Sequence, residues 1–342
     1  MKFLIGRKED FTGFLNSIGK KDRIAIVSHT DLDGIASALL IREILKSKKI
    51  KIKSLNFVDY KKGMFEEISS RLKRIDKIFV ADISIDSDYD NFQKFKGKYD
   101  VFLLDHHPSD IKELQNTIKT KTEDCTTFVL YELGKSIVNL DKWKSLICAT
   151  MVSEFSYKDE SNFQFIREIY PEITEENIND SIPADISKKI ASALVYFNRK
   201  EKKIFDFLAK NKLGKLEKYY NIIEEEIRRC VDKFKKEAEF YPERNLYFYY
   251  YTPRFNVGSI VTTILSMEQQ EKTFIFVSDL GDEEGFVKAG ARNQGGKENT
   301  NWLMKKGIAG FENSSAGGHF KASGARFMKK DLEEFKKNIL EQ

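Results

Sequence analysis

Short apolar runs alternate with helical patterns through the first hundred residues, and this alternation constrains the fold more than any other feature. The predicted strands are 23–28, 50–58, 77–83 and 99–105, and the predicted helices between them are 34–48 and 64–75. Strands separated by helices are typical of βαβ units, which assemble into a parallel sheet. The first part of the chain is therefore predicted to be an α/β domain.

The rest of the chain divides into further parts. Its 342 residues exceed what one hydrophobic core usually supports, so two domains are expected. Residues 126–208 look mainly helical, a long charged helix is predicted over 213–239, and mixed strand and helix patterns return after residue 245. We predict a catalytic domain over 1–208, a helical connector over 209–240 and a smaller mixed α/β domain over 241–342, with the active site in the cleft between the two domains.

Composition excludes several classes of protein. The charged fraction is 32% and the mean hydropathy is −0.46, and no apolar run approaches the roughly 20 residues that a bilayer span needs. The N-terminus becomes charged before a signal-peptide apolar segment could form, so we expect a cytoplasmic protein without a membrane partner. The three cysteines form no Cys-x-x-Cys motif, which disfavours both a disulfide framework and a thiolate zinc site.

Positive charge is concentrated in one segment. The whole chain has a net charge of +5, whereas residues 199–236 alone contain 13 basic and 7 acidic residues. This excess indicates either a phosphate-attracting face or a charge-rich solvated helix, and both readings stay open.

All four histidines lie among acidic residues or glycines. His29 precedes Asp31 and Asp33, the paired His106 and His107 follow Asp105 directly, and the fourth is in a Gly-Gly-His sequence. Imidazole and carboxylate together suit a borderline divalent metal, and ligands drawn from several loops favour a catalytic site over a zinc finger.

Three of these segments follow predicted strands. The His29 motif, Asp82 and the Asp105 motif each come at the end of a strand. Open α/β sheets gather their ligands outside the carboxyl ends of the strands, so we expect the three segments to converge. Asp124, at an apparent helix start, is interpreted as a helix cap.

Together these motifs resemble the DHH family of phosphoesterases, and the sequence from Gly317 to Gly324 resembles the signature of the DHH-associated C-terminal domain. The resemblance runs from about residue 23 to 327. The family includes RecJ nucleases, nanoRNases and enzymes that act on cyclic di-AMP. The resemblance implies phosphodiester substrates and two divalent metal ions, with manganese preferred.

The resemblance also implies roles for individual residues. His29 and Asp31 would hold the first metal, Asp33 and His106 the second, and Asp82 would bridge them. Where relatives carry a further aspartate on the second metal, this chain offers Glu154, either as a ligand or as a surface residue.

The remaining implied roles concern orientation and substrate. Asp105 would orient a neighbouring histidine, and His107 would face the substrate phosphate. In the second domain Arg292 would bind a phosphate with its planar guanidinium. One loop of this domain would also contact the substrate, through its backbone N–H groups and an imidazole. The residues of this loop are Gly317, Gly318 and His319.

The leading functional hypothesis is a manganese-dependent exonuclease that hydrolyses short RNA or DNA oligonucleotides to mononucleotides, with two metals activating water. Adenosine bisphosphate phosphatase and cyclic di-AMP phosphodiesterase are alternatives within the enzyme class. A nucleic-acid-binding regulatory protein with an impaired site is the alternative from another class. Strand polarity, the choice between RNA and DNA, and the choice between monomer and homodimer stay open.

Overall fold

The computed structural model describes residues 1–281 and 283–341. Their contacts form two compact units, Met1–Glu217 and Lys218–Gln342. The boundary falls inside the predicted connector, so the long charged helix is grouped with the second unit. The functional division into three parts stays a prediction. Among the described residues, no helix is both long and apolar enough to cross a membrane.

The first unit contains a six-stranded sheet and nine α-helices among its described residues. The strands are β1 (Phe3–Ile5), β2 (Ile24–His29), β3 (Ile52–Val58), β4 (Lys77–Ala81), β5 (Asp100–Asp105) and β6 (Thr117–Thr120). The helices are α1 (Lys8–Asn16), α2 (Leu32–Ser47), α3 (Met64–Arg71), α4 (Tyr89–Lys98), α5 (Thr126–Gly134), α6 (Lys144–Ser153), α7 (Glu160–Ile169), α8 (Ile182–Tyr196) and α9 (Glu201–Ala209).

The order of the strands explains why the active-site motifs can meet. The sheet runs β1-β6-β5-β4-β2-β3, and every neighbouring pair except β1 with β6 is parallel. The carboxyl ends of β5, β4 and β2 therefore lie side by side. The predicted α/β class is confirmed, whereas the short strands β1 and β6 were not predicted, because runs of three and four residues give little periodic signal.

Helices cover both faces of this sheet. On one face, Phe11 and Phe14 of α1 contact the rings of Phe79 and Phe102 in β4 and β5. On the other, α3 and α4 share a buried cluster with the strands. This two-sided cover buries every residue of β2 before His29, as expected for a central parallel strand.

The predicted helix over 34–48 is observed as α2, and most of it is enclosed by other elements. Residues 32–41 are all buried, because α2 packs against β2 on one side and against α5, α6, α8 and α9 on the others. A helix enclosed in this way has no solvent face to reveal its period. It forms the centre of the helical layer and carries the Asp31–Asp33 segment at its start.

The second unit begins with α10 (Glu217–Glu237), whose first residue belongs to the first unit. Its sheet runs β11-β12-β10-β9-β8-β7, parallel only between β8 and β9. The strands are β7 (Glu239–Tyr241), β8 (Leu246–Tyr251), β9 (Thr273–Ser278), β10 (Phe286–Arg292), β11 (Ser315–Gly318) and β12 (Ala322–Met328), and the helices are α11 (Gly258–Glu268), α12 (Thr300–Gly307) and α13 (Leu332–Leu340).

Two helices cover one face of this second sheet. Leu303 of α12 and Phe335 of α13 join Val287 and Phe327 in one buried cluster. The segment around Gly317, interpreted from its glycines as a loop, is instead strand β11 paired with β12. Its glycines conceal the strand because they carry no side chains to alternate between faces.

Gly34 gives a test of the first unit's geometry. A Cβ on Gly34 would lie 2.3 Å from the carbonyl oxygen of His29, and backbone cannot move aside as a flexible side chain can. We predict that Gly34→Ala destabilises the protein by about 1–3 kcal/mol in chemical denaturation, the range for overpacking. Gly13→Ala is the control, because a Cβ there meets nothing within 4 Å. Since alanine is favoured over glycine inside a helix, this change should raise the free energy of unfolding by about 0.5–1 kcal/mol. Equal stability of the Gly34 variant and the wild type would contradict the close approach.

Candidate metal centre

Three neighbouring strands deliver the polar residues of the site. His29 ends β2, Asp82 directly follows β4, and Asp105 ends β5 with His106 next to it. Asp82 has a left-handed backbone, with φ of +58°, and its N–H donates to the carbonyl of Leu104 at 2.8 Å. The chain thus turns sharply after β4 and directs the Asp82 carboxyl into the site.

Asp82 lies at the centre of the cluster. It is 1% exposed, and its Oδ2 is 3.8 Å from Nδ1 of His29 while its Oδ1 is 3.4 Å from Nε2 of His106. Two groups of potential metal ligands share it: one adds His29 and Asp31, and the other adds His106 and His107. One buried carboxyl therefore belongs to two adjacent ligand groups.

Asp31 has a structural role beside its place in the first group. Its Oδ2 is 2.8 Å from Nδ1 of His29, while its Oδ1 accepts the N–H of Gly34 at 3.0 Å and caps α2. The cap and the ligand position are therefore compatible, because they use different oxygens.

Asp33 connects the site to α5. Its two carboxylate oxygens accept the backbone N–H groups of Thr126 and Thr127 at 2.7 and 2.8 Å, and its Oδ2 is 3.8 Å from Nε2 of His106. The interpretation of Asp124 as a helix cap is wrong, because its side chain accepts from Asn162. A carboxylate 93 residues away in sequence caps α5, which local sequence cannot reveal.

Unsatisfied polar atoms show that this cluster fits divalent metal ions. Nε2 of His106 and Oδ2 of Asp82 are buried and make no hydrogen bond among the described residues. Burial raises the pKa of Asp82 well above its usual range, and the nearby charges of Asp33 and Asp31 raise it further. Such buried groups usually have partners, and divalent cations would supply both the missing bonds and the missing positive charge.

Glu154 follows the end of α6 and faces this cluster. Burial, followed by the charges of Asp33 and Asp31, raises its pKa to about 8. Neither group of potential metal ligands among the described residues includes Glu154, so its role as a ligand stays a prediction.

The neighbouring Asp105 is organised differently. It is buried, and it accepts from Nδ1 of His107 at 2.7 Å and from the ammonium of Lys119. Although burial opposes it, these partners hold the pKa of Asp105 at about 2. Asp105 therefore remains an anion and holds Nδ1 of the His107 ring.

Tyr60 is a site residue that the sequence analysis missed. It follows β3 in the chain, its ring stacks on His29 with centroids 4.2 Å apart, and its hydroxyl lies 2.8 Å from Nε2 of His107. The hydroxyl also donates to the carbonyl of Asp82 at 3.2 Å. The sequence signal that could have identified Tyr60 is its position just after a parallel strand, because the other site residues lie at the same edge of the sheet.

A second unpredicted group borders His29. The guanidinium of Arg199 donates to the Thr30 hydroxyl at 2.6 Å and to Asp59 at 3.1 Å. Asp59 in turn has an oxygen 3.9 Å from Nε2 of His29. The start of α9 is thereby attached to the loop that carries the first metal-ligand candidates.

The predicted substrate residues of the second unit lie around one pocket of about 430 Å³. Three glycines, Gly290, Gly324 and Gly317, pair across β10, β12 and β11, so part of its wall is bare backbone. Arg292 lines it, held by a hydrogen bond from its guanidinium to the Ser259 hydroxyl at 3.0 Å.

The Gly-Gly-His turn completes this pocket. Gly318 has φ of +138°, and a Cβ there would lie 2.5 Å from Cα of Ser323, so the turn requires glycine. His319 is exposed in the tight turn to Ala322, where the His319 N–H donates to the Ala322 carbonyl at 2.8 Å. The pocket therefore combines a cation, an imidazole and backbone, a combination suited to an anionic ligand.

The shifted acid in the metal centre predicts a pH dependence of the metal-free protein. The pKa of Glu154 rises from 4.5 to about 8 on folding, so the folded state binds the extra proton and stability falls as pH rises through that interval. In EDTA, we expect Tm to fall between about pH 5 and pH 8, and Mn²⁺ to restore it. Glu154→Gln should flatten the slope, whereas Glu113→Gln, at an exposed position, should not. A slope unchanged in the Glu154 variant would place that carboxyl outside the cluster.

Comparison with known proteins supports the assignment of the first unit. Residues 23–153 match the DHH family, N-terminal domain, which spans the strands and loops of the metal centre. No curated protein sequence matches the chain.

The fold has several solved counterparts. RecJ from Thermus thermophilus in complex with Mn²⁺ matches 97% of this chain with a TM-score of 0.66 at 13% identity, and this chain spans 53% of its length. The match to an exonuclease RecJ bound to manganese covers 99% of this chain and 94% of the RecJ chain, with a TM-score of 0.73 at 13% identity. The match to CDC45 from Entamoeba histolytica covers 98% of this chain and 99% of the CDC45 chain, with a TM-score of 0.61 at 11% identity.

These structures establish the shared fold, and the sequence match covers every metal-ligand candidate except Glu154. Residues 23–153 therefore match the DHH family, N-terminal domain, and the chain has the fold of the RecJ structures.

Proposed function

We propose that this protein is a manganese-dependent exonuclease that hydrolyses short oligonucleotides to mononucleotides. The observation that carries the proposal is the buried carboxyl of Asp82, which two groups of metal-ligand candidates share. Two-metal sites of this kind suit in-line displacement at phosphorus. The similar structures of RecJ in complex with Mn²⁺ and of an exonuclease RecJ bound to manganese support the choice of metal and reaction.

Each side chain has a defined part in this proposal. His29 and Asp31 would hold one divalent ion, Asp33, His106 and Glu154 would hold the other, and Asp82 would serve both. Divalent ions bound there would activate a water for attack on phosphorus and stabilise the leaving oxygen. Because Asp33 is fixed by two N–H donors and His106 by the carbonyl of Thr122 at 2.9 Å, little reorganisation is required when metals bind.

His107 contacts the substrate phosphate in this proposal. Asp105 accepts from its Nδ1, which leaves Nε2 directed toward Tyr60. The Tyr60 hydroxyl donates its proton to the Asp82 carbonyl, so its oxygen accepts from the Nε2–H of His107, and a phosphate oxygen of the substrate would share that N–H. Tyr60 is thus a positioning residue, and His107 is a catalytic one.

Substrate capture is assigned to the second unit. Arg292 is bound to Ser259, with its pKa lowered by burial, and it would bind a phosphate through its remaining N–H groups. The bare backbone of Gly317 and Gly318 and the exposed imidazole of His319 would contact phosphate or sugar oxygens of the same nucleotide.

Substitution of Asp82 tests the reaction. We expect Asp82→Asn to abolish release of mononucleotides from a labelled trinucleotide in Mn²⁺, because an amide lacks the charge that holds two ions. Asp90→Asn, at an exposed position without a charged partner among the described residues, should keep wild-type turnover. Full activity of a folded Asp82→Asn protein would contradict the two-metal proposal. Adenosine bisphosphate and cyclic di-AMP, assayed in parallel, would identify either alternative substrate if the wild type preferred it.

Tyr60→Phe tests the positioning of His107. Loss of the hydroxyl removes one hydrogen bond to the ring, and we predict that kcat falls about tenfold, equivalent to roughly 1.4 kcal/mol. KM and the Mn²⁺ dependence should change little, because the Tyr60 hydroxyl contacts neither metal nor substrate in the proposal. Tyr60→Leu, which also removes the ring stacked on His29, should disturb metal binding as well. An unchanged kcat in the Phe variant would remove Tyr60 from the mechanism.

A further inference from the structure

The excess of positive charge lies in one short part of the first unit. Residues 199–215 contain seven basic and two acidic residues, whereas residues 216–236, mostly helix α10, contain six basic and five acidic ones. The interpretation as a solvated charged helix therefore suits α10, where charges nearly balance and pairs such as Arg229 with Glu226 form. It does not account for the segment that contains α9.

Four lysines of that segment line one pocket. Lys203 lies on α9 and Lys210 directly follows the last residue of that helix, with Asp206 and Phe207 three and four positions after Lys203. The turn after α9 adds Lys212 and Lys215, and the pocket has a volume of about 240 Å³. We refer to these four lysines and this space as the lysine pocket.

The lysine pocket carries a strong excess of positive charge. All four ammonium groups are on exposed residues, and among the described residues none forms an ion pair; the only carboxylate in the lining is that of Asp206. Elsewhere in the unit, lysines such as Lys77, Lys119 and Lys142 each bind a carboxylate. Like charges gathered without ion pairs repel one another, so the pocket is suited to a ligand with several negative charges.

Helix α9 connects this pocket with the metal centre. Arg199, two residues before the helix, contacts the loop of Thr30 and Asp59 beside His29. From Glu201 the helix runs nine residues, about 13 Å, toward the turn that carries Lys212. A ligand with regularly spaced anionic groups could therefore contact both ends of α9.

We propose that the lysine pocket binds backbone phosphates of a nucleic-acid strand at a distance from the phosphate that is cleaved. A single strand supplies anionic groups at regular intervals, and neutralising them with lysines releases counterions, which favours binding. The proposal rests on the proposed function for the presence of a strand at the metal centre. It adds that oligonucleotides long enough to reach the end of α9 bind more tightly than dinucleotides.

Charge reversal tests the lysine pocket directly. Binding of a fluorescein-labelled single-stranded hexanucleotide, as DNA and as RNA, is measured by anisotropy in EDTA across a salt series. Lys203→Glu/Lys210→Glu should weaken binding at least tenfold, and Lys203→Ala/Lys210→Ala should reduce the slope of log K against log salt by roughly 1.4, since each phosphate contact contributes about 0.7 for single strands. The control, Lys51→Glu/Lys53→Glu, makes the same change of net charge at two exposed lysines at the start of β3.

The outcomes separate this proposal from the proposed function. Unchanged hexanucleotide affinity in both lysine-pocket variants, or an equal loss in the control, would overturn the lysine pocket. Binding of the wild type to vesicles of anionic phospholipid but not to the hexanucleotide would overturn it too. Hydrolysis of a dinucleotide in Mn²⁺ is measured separately: if the wild type fails there, the proposed reaction is wrong, while the anisotropy result still decides the lysine pocket.

Discussion

The buried carboxyl of Asp82 is the constraint on which the rest of the first unit depends. A nearly inaccessible acid surrounded by Asp31, Asp33 and Glu154 is unfavourable in the absence of cations, because burial and mutual repulsion both oppose its charge. The backbone of Asp82 is also in the left-handed conformation, which non-glycine residues seldom adopt and which adds strain. Strain and unpaired polar atoms at one residue are typical of a functional site, where the stability of the surrounding fold maintains an unfavourable arrangement.

The surrounding fold maintains this arrangement through contacts distant in sequence. Asp33 caps α5 and also lies beside His106, so the helical layer and the sheet edge are tied at the same carboxylate. Gly34 approaches the backbone of His29 too closely for any other residue. The segment from Asp31 to Gly34 thus determines where α2 and α5 begin and also positions His29 and His106. Little of the site could therefore change without changing the fold.

Much of this arrangement could be predicted from sequence because its signals are local. Buried strands and the acidic or histidine residues after them follow from periodicity and from the geometry of parallel sheets, and the convergence of His29, Asp82 and Asp105 followed in turn. The short edge strands and the glycine-rich strand β11 carried no such signal. Tyr60, Lys119 and the cap formed by Asp33 depend on contacts between segments far apart in sequence, and local propensities contain no information about those contacts.

The central claim is that Asp82 belongs to two metal sites at once. Anomalous X-ray diffraction from crystals of the protein grown with Mn²⁺ tests it most directly. We expect two anomalous peaks, each within bonding distance of a different oxygen of Asp82, one beside His29 and the other beside His106. A single peak, or two peaks of which only one contacts Asp82, would contradict the claim.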